Sequence, residues 1–210
     1  MALSKKALQS KREKKKKKRP LKVAHVPASS VTYSNWPLYE CLIPAGLWEI
    51  GIGQVVVSRK NSQDVVAMGI YLIDVFCLGI KGSFLTLFSI EDYENFKNHL
   101  RGKGEELKLS DPVYVNTLIH RAAEYAEQFG LKPDPDFANT KGILKNISQA
   151  KDIQFTFGVE GKPCYVQGTH ESLRDARKIL NTLEVNAGSG NYHFILQSLN
   201  TEILLENNDG

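Results

Sequence analysis

The chain has 210 residues, 42% hydrophobic and 24% charged, a composition that can close one sizeable core and excludes a wholly disordered protein. Its formal net charge of +4 is unevenly spread: residues 1–22 hold eleven basic side chains against one acid, a net of +10, and the rest holds sixteen basic and twenty-two acidic groups, a net of −6. A body of that sign does not by itself attract a polyanion, so any such attraction is expected from the N-terminal segment.

That segment carries Lys5, Lys6, Lys11, Arg12, Lys14, Lys15, Lys16, Lys17, Lys18, Arg19 and Lys22, with Glu13 as its one acid. Charge of one sign at this density repels itself, which predicts a disordered tail over 1–22. Each Lys or Arg that neutralises a phosphate releases a counterion, so the same residues are the candidate nucleic-acid-binding set. No aromatic residue interrupts them, and phosphate contacts alone read no sequence. RNA or a ribonucleoprotein is the expected partner, with an inert solubilising tail or an import address as the plainer use. Pro20 and Pro27-Ala-Ser-Ser30 mark a linker over 23–35, leaving 36–200 as one domain and 201–210 as a frayed end.

The domain opens with a strand over Tyr39 to Ile43, then a loop from Pro44 to Ile50. GIGQVVVSRK and VVAMGIYLIDVFCLGI, separated by Asn61-Ser-Gln-Asp64, predict an antiparallel hairpin whose second arm, apolar on both faces, is central. Leu85 to Phe88 adds a strand. Ser89 with Asp92 three residues on starts a helix to about Leu100. Asp111 caps the next helix, Pro112 fills its first turn, Val115, Leu118, Ala122, Ala126 and Phe129 form its apolar face, and Gly130 stops it. A short helix is expected between Asp134 and Leu144. IQFTFG and CYVQG, flanking Val159-Glu-Gly-Lys-Pro163, predict a second hairpin; a helix from about His170 follows, and NYHFIL returns to the sheet. The fold class is therefore α+β: a single domain with a mainly antiparallel sheet built from two hairpins and helices packed on one face.

Candidate chemistry in the body is sparse. Asp74, Cys77 and Lys81 interrupt an apolar run, and buried charge is costly without a partner, so they are the catalytic candidates. Ion pairing between Asp74 and Lys81, or with Arg59 and Lys60, is the structural alternative. Pro133-Asp134 with Glu160-Gly161-Lys162 mimics a metal-nuclease pattern, but both halves fall in turn contexts. The five histidines lack metal-site spacing, and Gly51 and Gly53 precede a strand, so no metal and no cofactor is expected. Tyr165 on the second hairpin and Tyr71 or Phe76 on the first are the candidates for a stacking surface for single strands, though none sits in an RNP-like pattern and core packing is the structural alternative. Cys41, Cys77 and Cys164 are odd in number and unpaired in spacing, which predicts buried reduced thiols in a reducing compartment, cytoplasmic or nuclear. No apolar run reaches the ~20 residues of a membrane span.

The central block GIGQVVVSRK through IYLIDVFCLGIKGSF, with RAAEYAEQFGLKPDPDF and FGVEGKPCYVQG, resembles an uncharacterised family of bacterial proteins with lysine-rich N-termini. The resemblance implies one shared architecture and a bacterial source. It transfers no catalytic residue. Three functions remain open: an RNA-associated accessory protein without enzymatic activity, an enzyme with a pocket around Asp74, Cys77 and Lys81, and a protein-protein adaptor.

Overall fold

The computed structural model describes residues 32–102 and 106–197, so the candidate binding set in residues 1–22 and the expected fraying of 201–210 lie outside the described residues. The chain within those limits is α+β around a five-stranded antiparallel sheet. β1 (Leu38–Pro44), β2 (Ile52–Lys60), β3 (Val65–Asp74), β4 (Gly79–Ser89) and β5 (Leu107–Leu109) lie in the order β4-β3-β2-β1-β5. The expected first hairpin is β2 and β3, in register from Ile52 opposite Asp74 to Lys60 opposite Val66. Asn61 makes its turn: Oδ1 accepts from the backbone N–H of Gln63 and of Val65, both at 2.9 Å.

Alternation along β2 and β3 sends side chains to two separate cores. Val55 and Val57, with Ala67, Tyr71 and Ile73, pack against α3 (Pro112–Glu127) through Val115, Leu118, Ile119 and Ala122. Val56, Val66, Met68 and Ile70 face the other way and meet Phe88 and Tyr93, the latter on α2 (Ile90–Gly102). Helices thus cover both faces, not one. A two-sided apolar strand demands a second cover, and full burial of one Val, Ile or Met is worth about 1.5–3 kcal/mol, so leaving either face bare would forfeit several such terms.

The helices start where their capping residues stand. Ser89 Oγ accepts from the Asp92 N–H at 3.1 Å ahead of α2, and Asp111 Oδ1 accepts from Val113 and Tyr114 ahead of α3. Ser172 Oγ accepts from the Asp175 N–H at 3.1 Å to open α5 (Leu173–Ala187). The short element expected before Leu144 is α4 (Phe137–Thr140) followed by a 3-10 turn, Lys141–Leu144. The segment Pro44 to Ile50, expected as loop, contains α1 (Leu47–Ile50).

Three expectations change. The apolar run Val65 to Ile80 is two strands with a buried turn between them, so the strand expected at Leu85 to Phe88 is the far half of a longer β4. The second hairpin does not form: Val159 and Lys162 make a single antiparallel bridge, residues 153–157 belong to no strand, and β6 (Cys164–Val166) pairs in parallel with β7 (His193–Ile195). NYHFIL therefore closes a small βαβ unit through α5 and does not return to the main sheet. Tyr33, assigned to the linker, is buried in the core beside the 3-10 turn Lys141–Leu144, so the folded body begins before residue 36.

One buried cation ties the sheet to the chain that covers it. Arg59, 6% exposed, donates from Nε to the Ile143 carbonyl at 2.8 Å, from Nη1 to the Trp36 carbonyl at 2.8 Å, and from Nη2 to the Lys145 carbonyl. Among the described residues no carboxylate is its hydrogen-bond partner; three backbone dipoles replace water around the guanidinium. Replacing it by methionine leaves those carbonyls unpaired, so urea denaturation of Arg59→Met is expected to show a loss of about 3 kcal/mol. Arg59→Lys is expected to recover only part of that loss, because one ammonium cannot span three carbonyls. A methionine variant within the error of the parent would contradict this role.

Candidate functional site

The candidates Asp74, Cys77 and Lys81 meet at the β3–β4 turn, Val75 to Leu78, where the chain reverses inside the protein. Asp74 ends β3 and caps that turn: its Oδ1 accepts from the N–H of Phe76 at 3.0 Å and of Cys77 at 2.8 Å. Gly79 restarts the strand at φ +63°, and a Cβ there would come within 2.5 Å of the Ala122 carbonyl on α3. The turn is closed from outside as well. Gly158 donates to the Val75 carbonyl at 2.9 Å and Cys164 to the Phe76 carbonyl at 2.9 Å, which docks the start of the βαβ unit against it.

Electrostatics follow from this enclosure. Asp74 is 6% exposed, and burial pushes its carboxyl above the ordinary 3.8, with the two backbone N–H groups and Lys81 pulling the other way. Cys77 is fully buried; desolvation first, then the charge of Asp74, raises its thiol pKa, which disfavours the thiolate a nucleophile requires. Cys164 is shifted upward by burial too, and Cys41 is pushed up to about 12. All three cysteines are free and buried.

Lys81 does not bond to Asp74, nor does either pair with Arg59 or Lys60. Its Nζ lies 3.6 Å from Glu171 Oε2, while Lys60 pairs with Asp64 at 2.8 Å. Glu171 Oε2 also accepts from the Gly168 N–H at 3.1 Å, and Gln167 Nε2 donates to the Glu171 carbonyl at 2.9 Å. Lys81 thereby fastens the loop before α5 to β4. Asp74 and Cys77 are thus brought together by a backbone turn, and Lys81 is spent on a different partner. Acid-base chemistry would need the acid and the amine to line one open cleft. Three surface grooves of about 470 to 500 Å³ among the described residues are lined by other residues.

The remaining sequence candidates resolve in the same direction. Pro133-Asp134 and Glu160-Gly161-Lys162 do not join: Asp134 accepts from Ser83 Oγ at 3.0 Å beside β4, and Glu160 sits exposed in its turn at φ +53°. Among the described residues no group of three or more His, Cys, Asp or Glu side chains is placed to hold a metal ion. Tyr71 and Tyr165 are fully buried and Phe76 is half-buried, so none offers a free stacking face. Among the described residues no helix is long and apolar enough to cross a membrane.

No family model matches the chain, and neither a curated protein nor a solved structure matches it significantly.

The feature that sequence reasoning missed is an aromatic floor under residues 153–157. Phe155 stacks on Trp48 with centroids 5.8 Å apart, and Phe157 stacks on Tyr125 at 5.0 Å, with Tyr114 edge-on to Phe155 at 5.2 Å. Beside it runs a groove of about 500 Å³ bordered by Arg121, Glu124 and Gln128. Arg121 and Glu124 neutralise each other at 2.8 Å, so the groove presents no net charge from its helical wall. The alternation of Ile153, Phe155 and Phe157 was the signal, but period two also describes a sheet strand.

Asp74 yields a pH test. A native pKa raised above the unfolded value means the folded state holds the proton more tightly, so Asp74 lowers stability as pH rises through the window starting at about 3.8 and ending at its raised value. Asp74→Asn keeps the Oδ1 acceptor and removes the charge. Its stability relative to the parent, from urea midpoints across pH 3 to 7, is expected to climb through that window and then level off. A difference that is flat with pH, or that falls, would contradict the assignment.

Proposed function

We propose that this protein is a non-enzymatic accessory protein that docks on RNA or a ribonucleoprotein through the lysine-rich segment Lys5 to Lys22, with a folded acidic body carried alongside. The observation that supports the reading is the partition of charge: +10 over residues 1–22 against −6 over the rest. A polyanion recruits the segment and is repelled by the remainder, so the two parts divide the work. Contacts of lysine with phosphate are strong in sum and blind to sequence, which makes the docking general and salt-sensitive.

The body adds to this reading by what its buried ionic groups do. Arg59 holds loop carbonyls, Asp74 caps a turn, and Lys97 bridges Glu40 at 2.7 Å and Glu94 at 2.8 Å. Each has a structural partner among the described residues. The cysteine thiols are held in their protonated form by burial.

The test is the salt dependence of binding to a single-stranded RNA of mixed sequence. The full chain is expected to lose about three hundredfold or more in affinity between roughly 50 and 200 mM salt, if six or more phosphates are neutralised. Substituting glutamine at Lys14 to Lys18 removes five of the charges and is expected to lower the log-log slope by about 3 to 4 without moving the melting temperature. If that variant, or a chain lacking residues 2–22, binds as tightly as the parent at equal salt, the proposal is wrong.

A further inference from the structure

The parallel pair β6 and β7 has one edge and one face that no other described residue covers. The far edge of β6 is occupied, since the Cys164 N–H donates to the Phe76 carbonyl at 2.9 Å. β7 differs. The His193 N–H donates to the Pro163 carbonyl at 2.8 Å and the Ile195 carbonyl accepts from the Gln167 N–H at 2.9 Å, so His193 and Ile195 turn their backbone groups toward β6. Phe194 and Leu196 alternate with them and turn theirs outward, where no backbone bond among the described residues meets them.

The side chains show the same gap. Tyr165 lies on the side of the pair that α5 covers through Ala176 and Leu183. Val166 and Ile195, opposite each other in the ladder, point to the other side and are 41% and 60% exposed. Phe194 is 52% exposed, and Leu196 is 37% exposed. Parallel strands are normally covered on both faces, and a two-stranded sheet is marginal by itself in water. Large apolar side chains and unpaired backbone groups thus gather along one strand, the one from which the chain leaves the described residues.

Past Gln197 the chain reads SLNTEILLENNDG, in which Ile203-Leu204-Leu205 is the run of adjacent large apolar residues. Five residues, Gln197 to Thr201, separate Glu202 and that run from Leu196, the span of an ordinary hairpin loop, with Asn200 as a turn former. A link that short holds a segment beside β7 at a local concentration on the order of millimolar, and any free partner must compete with it.

We propose that Glu202 to Leu205 folds back along β7 as a third, antiparallel strand, in place of the fraying expected of residues 201–210. A register with Leu204 opposite Phe194 sets Glu202 opposite Leu196, and these become the hydrogen-bonded pairs, because Phe194 and Leu196 are the positions whose backbone groups point outward. Ile203 then lies beside Ile195, and Leu205 beside His193, on the uncovered face. Leu204 lies beside Phe194 on the other.

Backbone amide exchange of the full chain, read residue by residue by NMR, tests the pairing. The amides of Phe194, Leu196, Glu202 and Leu204 are expected to be protected, and those of Ile203 and Leu205, which point away from β7, to exchange freely. Leu204→Pro removes the donor to the Phe194 carbonyl and is expected to strip protection from Phe194, Leu196 and Glu202, while the β2 amides of Val55 to Val57 stay protected. Asn208→Pro, beyond the pairing, is expected to change none of them. The proposal is overturned by free exchange at Phe194 and Leu196 in the full chain, or by protection there that survives Leu204→Pro. Protection that rises with protein concentration would assign the added strand to a second copy and overturn it too. So would equal exchange at Glu202, Ile203, Leu204 and Leu205, a result that needs no variant.

Discussion

β2 and β3 are apolar on both faces, and the rest of the described chain is placed by the need to cover them. A strand with Val55 and Val57 on one side and Val56 on the other has no face to give to water. One helix cannot serve both sides, so α3 takes the first and α2 the second, and the chain between and after them is laid over what remains. Gly69 shows how close the cover comes: a Cβ there would lie 2.8 Å from Ile143, in the 3-10 turn after α4. Arg59, buried beneath that turn, supplies the polar bonds that an apolar surface cannot, so the cover is fixed in position as well as in place.

The local parts of this architecture are legible in the sequence. Asn61 to Asp64 between two β-branched runs specifies the β2–β3 hairpin, and Ser89, Asp111 and Ser172 stand at the helix starts they cap. The parts that depend on distant partners are not. IQFTFG and CYVQG have the composition of a hairpin, yet CYV finds its partner 29 residues later in HFI, and IQFTF lies on aromatic rings contributed by α1 and α3. Alternation says that a segment has two sides without saying what meets either one. The same limit hid the second helical layer: the two-sided pattern of β3 was visible, but not the identity of the cover on each side.

The candidate triad illustrates a different loss of information. A charged residue in an apolar run marks a place where burial must be compensated, and at Asp74 it is, by two backbone N–H groups of the turn it caps. The sequence marks the cost without saying whether chemistry or a turn explains it. Lys81 carries the same ambiguity, and its answer, Glu171, is 90 positions away. Structural use of both groups returns attention to the charge of residues 1–22, which needs no folded partner to exert its effect.

In the proposed function a polyelectrolyte arm is joined to an acidic body that a polyanion repels. The account then rests on one separation, arm from body. Amide resonances of the isotope-labelled full chain, followed during titration with single-stranded RNA at low salt, test it most directly. Shifts confined to residues 1–22 are predicted, with the body's amides unmoved. Shifts of comparable size at Lys81, or along the groove at Arg121 and Gln128, would show that the body reads the nucleic acid itself and would contradict the account.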